Sequence, residues 1–343
     1  IWNIVGCQPP GNFLDGAPWE KGAIEHCKTH FDKVFRPFSP QQEPDRVLVA
    51  MGNVALKALT GVSGIASEKQ SIYHLRGFFF RTKYGWVIPS FHPSFLKRGK
   101  PGYTPLNVLD LTKAIQLAAG IYTKPLPSQY HPKYIEYPSY DEARGFYRRV
   151  KENPNLTLYY DIETPLSSET EEDEREDLTE NDLITVQFSL GREEGISIPY
   201  TDELYQKLCR ATLKLDNPKV AHNGWNFYIP RLRAKGFTIG GNECHDSMWA
   251  FKHLHPGLPR GLQSVAANYG FPFPWKHYYG SKLAWYGCVD VDTLAWIWPA
   301  LKEELTKEGL WKGYERHTRG LYEVLHKAST RGLPVNEEKR LAL

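Results

Sequence analysis

The sequence predicts two α/β domains in tandem, the second built on a mixed sheet flanked by helices. Three observations predict this. Short runs rich in β-branched and aromatic residues, at 46–51 (RVLVAM), 85–89 (GWVIP), 156–161 (LTLYYD), 183–190 (LITVQFSL) and 195–199 (GISIP), alternate with segments of helical spacing. Four prolines within 123–138 (TKPLPSQYHPKYIEYP) argue against a helix or a central strand there and mark a linker. Finally, 167–182 carries nine Asp or Glu in 16 residues, which reads as a solvated loop between two strands.

In chain order, the apolar run 46–51 ends at Gly52 and is followed by helical spacing over 53–59. With the strand at 85–89 this makes residues 1–122 an α/β unit, expected to have a parallel sheet. Residues 123–138 are the linker. A helix over 139–151 opens the second unit, 139–313, and is followed by the strands at 156–161, 183–190 and 195–199 and then several helices. Residues 314–343 hold apolar positions at helical spacing through Leu325, a turn at Gly332, and a new helix started by Asn336. The chain opens on Ile1 and stops within a helical pattern, so it is expected to be a piece of a longer protein.

A length of 343 residues suffices for two compact domains and a remnant. Hydrophobic residues make up 41% and charged ones 24%, which fits a water-soluble globular chain. No run of about 18 apolar residues is long enough to span a bilayer, and no signal peptide opens the chain. Five cysteines in this length do not suggest a secreted disulfide framework, so a reducing compartment, the cytoplasm, is expected. The net charge of +3 hides an asymmetry: residues 1–133 hold 16 Lys and Arg against 8 Asp and Glu, leaving the remainder slightly acidic. The basic part is the better phosphate-binding surface.

Asp161 and Glu163 stand one residue apart at the C-terminal end of a strand, so both project from one face, at the edge where α/β ligands commonly bind. Paired carboxylates suit a hard divalent cation, Mg²⁺ or Mn²⁺. About 120 residues on, Tyr286 and Asp290 are spaced i, i+4 at the start of a helical pattern and share one face. There a phenol can orient water while the carboxylate completes a metal shell. Between these pairs lies the sequence from Val220 to Leu232, with His222-Asn223 at its start.

A strand bearing Asp-x-Glu, then His-Asn, then Tyr-x-x-x-Asp resembles the DEDDy exonucleases, and most closely the proofreading 3′–5′ exonuclease domain of family A DNA polymerases. Residues 195–200 (GISIPY), 244–249 (CHDSMW) and 261–266 (GLQSVA) extend the likeness over nearly the whole unit. The resemblance implies a ribonuclease H-like fold and two-metal phosphodiester hydrolysis at DNA 3′ ends. It implies Asp161, Glu163 and Asp290 as metal ligands, Tyr286 as the residue that positions water, and His222 and Asn223 at the DNA. One position departs from the pattern: Phe227 is followed by Tyr228 where the family has Asp. A phenol with a pKa near 10 stays protonated and cannot replace a hard carboxylate, so one metal site is expected to be weakened and the exonuclease slow or silent. Asp246 comes too late to substitute and is expected to start a helix.

Residues 46–61, 75–77 and the run Ser90 to Arg98 (SFHPSFLKR) resemble the second half of a family-four-type uracil-DNA glycosylase. Residues 1–27 fit the preceding stretch. The resemblance implies that Asn3 reads a flipped uracil and that His92 stabilises the departing base. Ser94, Lys97, Arg98 and Lys100 would lie at the DNA. Cys7 and Cys27 match two of the four ligands of a [4Fe-4S] cluster, the other two lying upstream. The tail from Tyr314 resembles the junction where family A polymerases pass from exonuclease to polymerase domain, so the remainder of a polymerase chain is the expected partner, and DNA the substrate. Such an arrangement is expected in bacteriophages, in the cytoplasm of a bacterial host and in DNA replication. Two other readings stay open: a non-catalytic DNA-binding module that guides template or primer, and a stand-alone RNase D-like 3′ exonuclease.

Overall fold

A computed structural model of the chain describes residues 5, 11, 14, 16–39, 46–60, 72–165, 183–241, 244–332 and 334–341. Two sheets organise it. The first unit contains α1 (Glu20–Val34), β1 (Val47–Met51), α2 (Asn53–Thr60), α3 (Ile72–Leu75), β2 (Phe80–Thr82), β3 (Gly85–Ser90), α4 (Pro93–Arg98) and α5 (Thr104–Ala118). Its sheet has the order β1-β3-β2, with β1 and β3 parallel. The expected parallel sheet is therefore mixed, because β2 pairs antiparallel with β3 in a hairpin in which Thr82 faces Gly85. Glycine is required at that corner: its φ is +125°, and a Cβ would lie 2.4 Å from the Arg46 carbonyl oxygen.

The second sheet draws on β4 (Lys133–Ile135), β5 (Leu158–Glu163), β6 (Thr185–Ser189), β7 (Glu194–Pro199), β8 (Lys219–Ala221) and β9 (Cys244–Asp246). Its order is β4-β7-β6-β5-β8-β9, mixed in direction, with β5 parallel to β8 and antiparallel to β6. The stretch read as a linker thus contributes an edge strand, β4, whose backbone pairs with β7. An edge tolerates the nearby prolines because half of its backbone needs no ladder partner. The acidic segment 167–182 lies outside the described residues.

Helices cover both faces. On one side lie α6 (Tyr140–Glu152) and α7 (Glu203–Lys214). The first is closed by a capping box between Ser139 and Glu142, the second by Asp202, which accepts from the amides of Leu204 and Tyr205. Their apolar stripes meet Leu158, Tyr160 and Ile162 of β5. Tyr159 faces the opposite core, formed with α9 (Ser247–Leu254), α10 (Leu262–Asn268) and α11 (Leu283–Lys307). Since a strand alternates, Asp161 and Glu163 share that face with Tyr159 and project under α11.

Small residues let α11 approach the sheet closely. A Cβ on Gly287 would lie 2.5 Å from the Gln187 side chain of β6, and one on Gly195 of β7 would lie 2.9 Å from Cys288. Beyond α8 (Ile229–Ala234) on the other side, the chain ends in α12 (Trp311–Gly313), α13 (Gly320–Arg331) and α14 (Glu337–Leu341). No helix among the described residues is long and apolar enough to cross a membrane.

The two units meet at α10. Arg76 donates to the Asn268 side chain at 2.8 Å, Lys113 donates to the Ala267 carbonyl, and Gln263 donates to the His74 carbonyl at 2.7 Å.

Candidate functional site

Asp161 and Glu163 lie on one face of β5, and α11 crosses that face with Tyr286 and Asp290 one helical turn apart. Ligand oxygens of Asp161, Glu163 and Asp290 all lie within 4.8 Å of one another. The three residues are only 3%, 5% and 3% exposed. Among the described residues this is the one group of three or more potential metal donors.

Three buried carboxylates at such range resist ionisation. Burial, then the neighbouring Asp290 charge, pushes the Asp161 carboxyl up to about 7. Glu163 is raised by burial and by the charges of Asp161 and Asp290, and Asp290 is raised by burial although Lys276 and Trp275 pull it back. An all-oxygen donor set whose negative charge is costly fits a hard divalent cation.

Lys276 and Trp275 are site residues that the sequence reading missed. The Lys276 ammonium donates to both Asp290 oxygens, at 2.7 and 3.0 Å, and to the Tyr286 phenol oxygen. Because Lys276 occupies that oxygen as a donor, the phenol's own proton remains available to point elsewhere. The Trp275 indole donates to Asp290 at 2.5 Å. Both residues are held at the backbone, where their amides donate to the Gln263 side-chain oxygen at 2.7 and 2.8 Å. The available signal was the aromatic and basic run FPFPWKHYYG just before the Tyr-x-x-x-Asp helix.

Tyr228 ends a π-helical turn, Gly224–Tyr228, entered through Asn223 in the left-handed conformation at φ 61°. This turn brings the Tyr228 phenol beside Asp161 and the other two carboxylates. Burial and the surrounding carboxylates raise the phenol well above its ordinary value, so it stays protonated. Burial is also the main force raising the Tyr286 phenol.

His222 is buried. Its Nδ1 pairs with Ser247 at 2.9 Å and its Nε2 with the Arg260 carbonyl at 2.8 Å, so both ring nitrogens are committed within the protein. Burial lowers its pKa to about 3, so the ring is neutral. Asp246 caps α9 through the amides of Met248 and Trp249 and also accepts from the amides of Asn223 and Trp225. It anchors the turn that delivers Tyr228.

In the first unit, His92 caps α4, with its ring Nδ1 accepting from the Ser94 amide at 3.2 Å. Arg98 donates to the Ser94 hydroxyl at 3.1 Å, and Lys97 and Lys100 are exposed beside it. Asn3 and Cys7 lie outside the described residues, and Cys27 sits half-buried on α1 as a free thiol. A cluster ligand set is therefore not assembled among the described residues.

No protein-family model matches the chain, and no curated protein is similar to it. Several solved structures are similar. The catalytic core of RRP6 from Trypanosoma brucei aligns with a TM-score of 0.44 and 14% identity, over 60% of this chain and 60% of that one. RNase D from Escherichia coli, an exoribonuclease involved in structured RNA processing, aligns at 0.43 and 16%, over 56% and 50%. The POL domain of Pol1 from M. smegmatis, in complex with DNA primer-template and dNTP, aligns at 0.43 and 14%, over 57% and 31%. The chain thus spans three fifths or less of each of these. Likeness at this level carries no chemistry, which rests on the three carboxylates alone.

Proposed function

We propose that the second unit is a divalent-cation-dependent 3′–5′ exonuclease of the DEDD type, the proofreading portion of a family A DNA polymerase, with its activity attenuated by Tyr228. The observation that supports this reading is the convergence of Asp161, Glu163 and Asp290, with Tyr286 one turn from Asp290. A bound divalent cation supplies Lewis acidity and neutralises charge at a phosphodiester. Around it, the carboxylates orient the ion, and the Tyr286 phenol is available to orient water for in-line attack. Tyr228 adds a neutral donor where a further ligand would be needed.

The departure at Tyr228 also favours a second reading, a DNA-binding module that holds a single-stranded 3′ end without turnover. One assay separates them. A 3′-labelled single strand is incubated with Mg²⁺ or Mn²⁺ and with wild type, Tyr228→Asp and Asp161→Asn. The exonuclease reading expects slow wild-type cleavage, at least about tenfold faster cleavage by Tyr228→Asp, and none by Asp161→Asn. Tight binding with no cleavage by any of the three would leave the module. Running the RNA strand of the same sequence in parallel distinguishes an RNase D-like preference.

A further inference from the structure

We propose that Lys276 is a resident cation of the site, supplying the positive charge of a second metal ion, so that the protein binds one divalent ion where a two-metal nuclease binds two. The inference rests on the nuclease reading and deepens it. Three carboxylates and one ammonium leave two negative charges, the charge of a single divalent ion.

The backbone that carries Lys276 is fixed at the site. The Lys276 backbone amide and that of Trp275 are both fixed by Gln263, a buried residue of α10 whose amide nitrogen is tied in turn to the His74 carbonyl of the first unit. Its ammonium contacts both oxygens of Asp290 and the Tyr286 phenol, and lies 4.3 Å from the centre of the Tyr286 ring. Asp290 is therefore already paired on both oxygens.

Tyr228 acts from the other end. Its phenol stands beside the carboxylates and brings no negative charge of its own. A second divalent ion would have to approach an ammonium on Asp290, with a neutral phenol in place of a further carboxylate. The two residues are complementary: one brings no ligand charge, and the other supplies positive charge. The first ion keeps the oxygens of Glu163 and Asp161.

The test counts ions without reference to cleavage. Metal-free full chain is titrated with Mn²⁺, following free Mn²⁺ by electron paramagnetic resonance and heat by calorimetry, for wild type, Lys276→Arg, Lys276→Met and Lys276→Met/Tyr228→Asp. Circular dichroism confirms that each is folded. One ion is expected in wild type and in Lys276→Arg, which keeps the charge. Two are expected in the double variant, with the spectral broadening of a coupled Mn²⁺ pair. Two ions in wild type, or one in the double variant, overturn the inference while leaving the nuclease reading intact. No bound Mn²⁺ in any of the four overturns both.

Discussion

Two buried charge clusters among the described residues adjoin α10, yet they are assembled in opposite ways. At the junction between the units, Arg76 and Asp110 form a two-pronged pair at 3.0 and 2.5 Å, Ser90 donates to the same carboxylate at 2.8 Å, and Asn268 accepts the remaining Arg76 contact. Lys113 lies beside them, donating to the Gly77 and Ala267 carbonyls, and burial lowers its pKa to about 7. Arg76 and Asp110 answer each other's charge there, and the Lys113 ammonium is met by backbone carbonyls. Under α11, three carboxylates share one ammonium, and part of the negative charge is left without an internal partner. Buried charge alone does not mark a site, since a satisfied pair serves to join two surfaces. Charge held in excess, in a fold that could have neutralised it, points to a ligand.

The contrast is broken most forcefully at the junction. Asp110→Asn leaves the Arg76 guanidinium buried against a neutral partner and is expected to cost about 3–5 kcal/mol of stability, read from the urea midpoint. A midpoint unchanged from wild type would show that this pair does not hold Arg76 against the second unit at any cost to stability. The acidic cluster should respond with the opposite sign. In metal-free protein at pH 8, Glu163→Gln removes the cost of keeping a proton on a buried carboxyl that the unfolded chain has released, and is expected to raise stability by about 1–2 kcal/mol, while weakening Mn²⁺ binding. Destabilisation by this substitution would mean that Glu163 is held by contacts rather than strained by charge.

The smallest effect is a slope. Carboxyl groups whose folded pKa is raised keep protons that the unfolded chain has released. Their contribution is full below the unfolded value of about 4 and is lost as pH rises through the folded value, which for Asp161 is about 7. Lys113 runs the other way, because its lowered folded pKa makes stability recover between about 7 and its ordinary value near 10.5. Metal-free wild type should therefore lose stability more steeply from pH 6 to 8 than Asp161→Asn does, in urea titrations at fixed ionic strength. Equal slopes would remove the cluster from the account.

Local pattern carried much of this. Alternation placed Asp161 and Glu163 on one strand face, the i, i+4 spacing placed Tyr286 with Asp290, and the helix-starting role of Asp246 was legible from Cys244-His245-Asp246 before an apolar run. These are short-range properties, set by strand and helix periods that any neighbour-to-neighbour reading can count. The strand inside the proline-rich stretch was not legible, because pairing at an edge depends on β7 rather than on residues 133–135 themselves.

Likewise, the identity of Tyr228 was plain in the sequence, but its place beside Asp161 depends on a π-helical turn anchored from Asp246. Lys276 lies about 110 residues from the Asp-x-Glu strand and is aimed by Gln263, with nothing in its own segment announcing a partner. Which carboxylates exist was written in the chain. How their charge is balanced was decided only when α10, α11 and β5 packed together, because electrostatic energy depends on distance and burial in space and not on separation along the backbone.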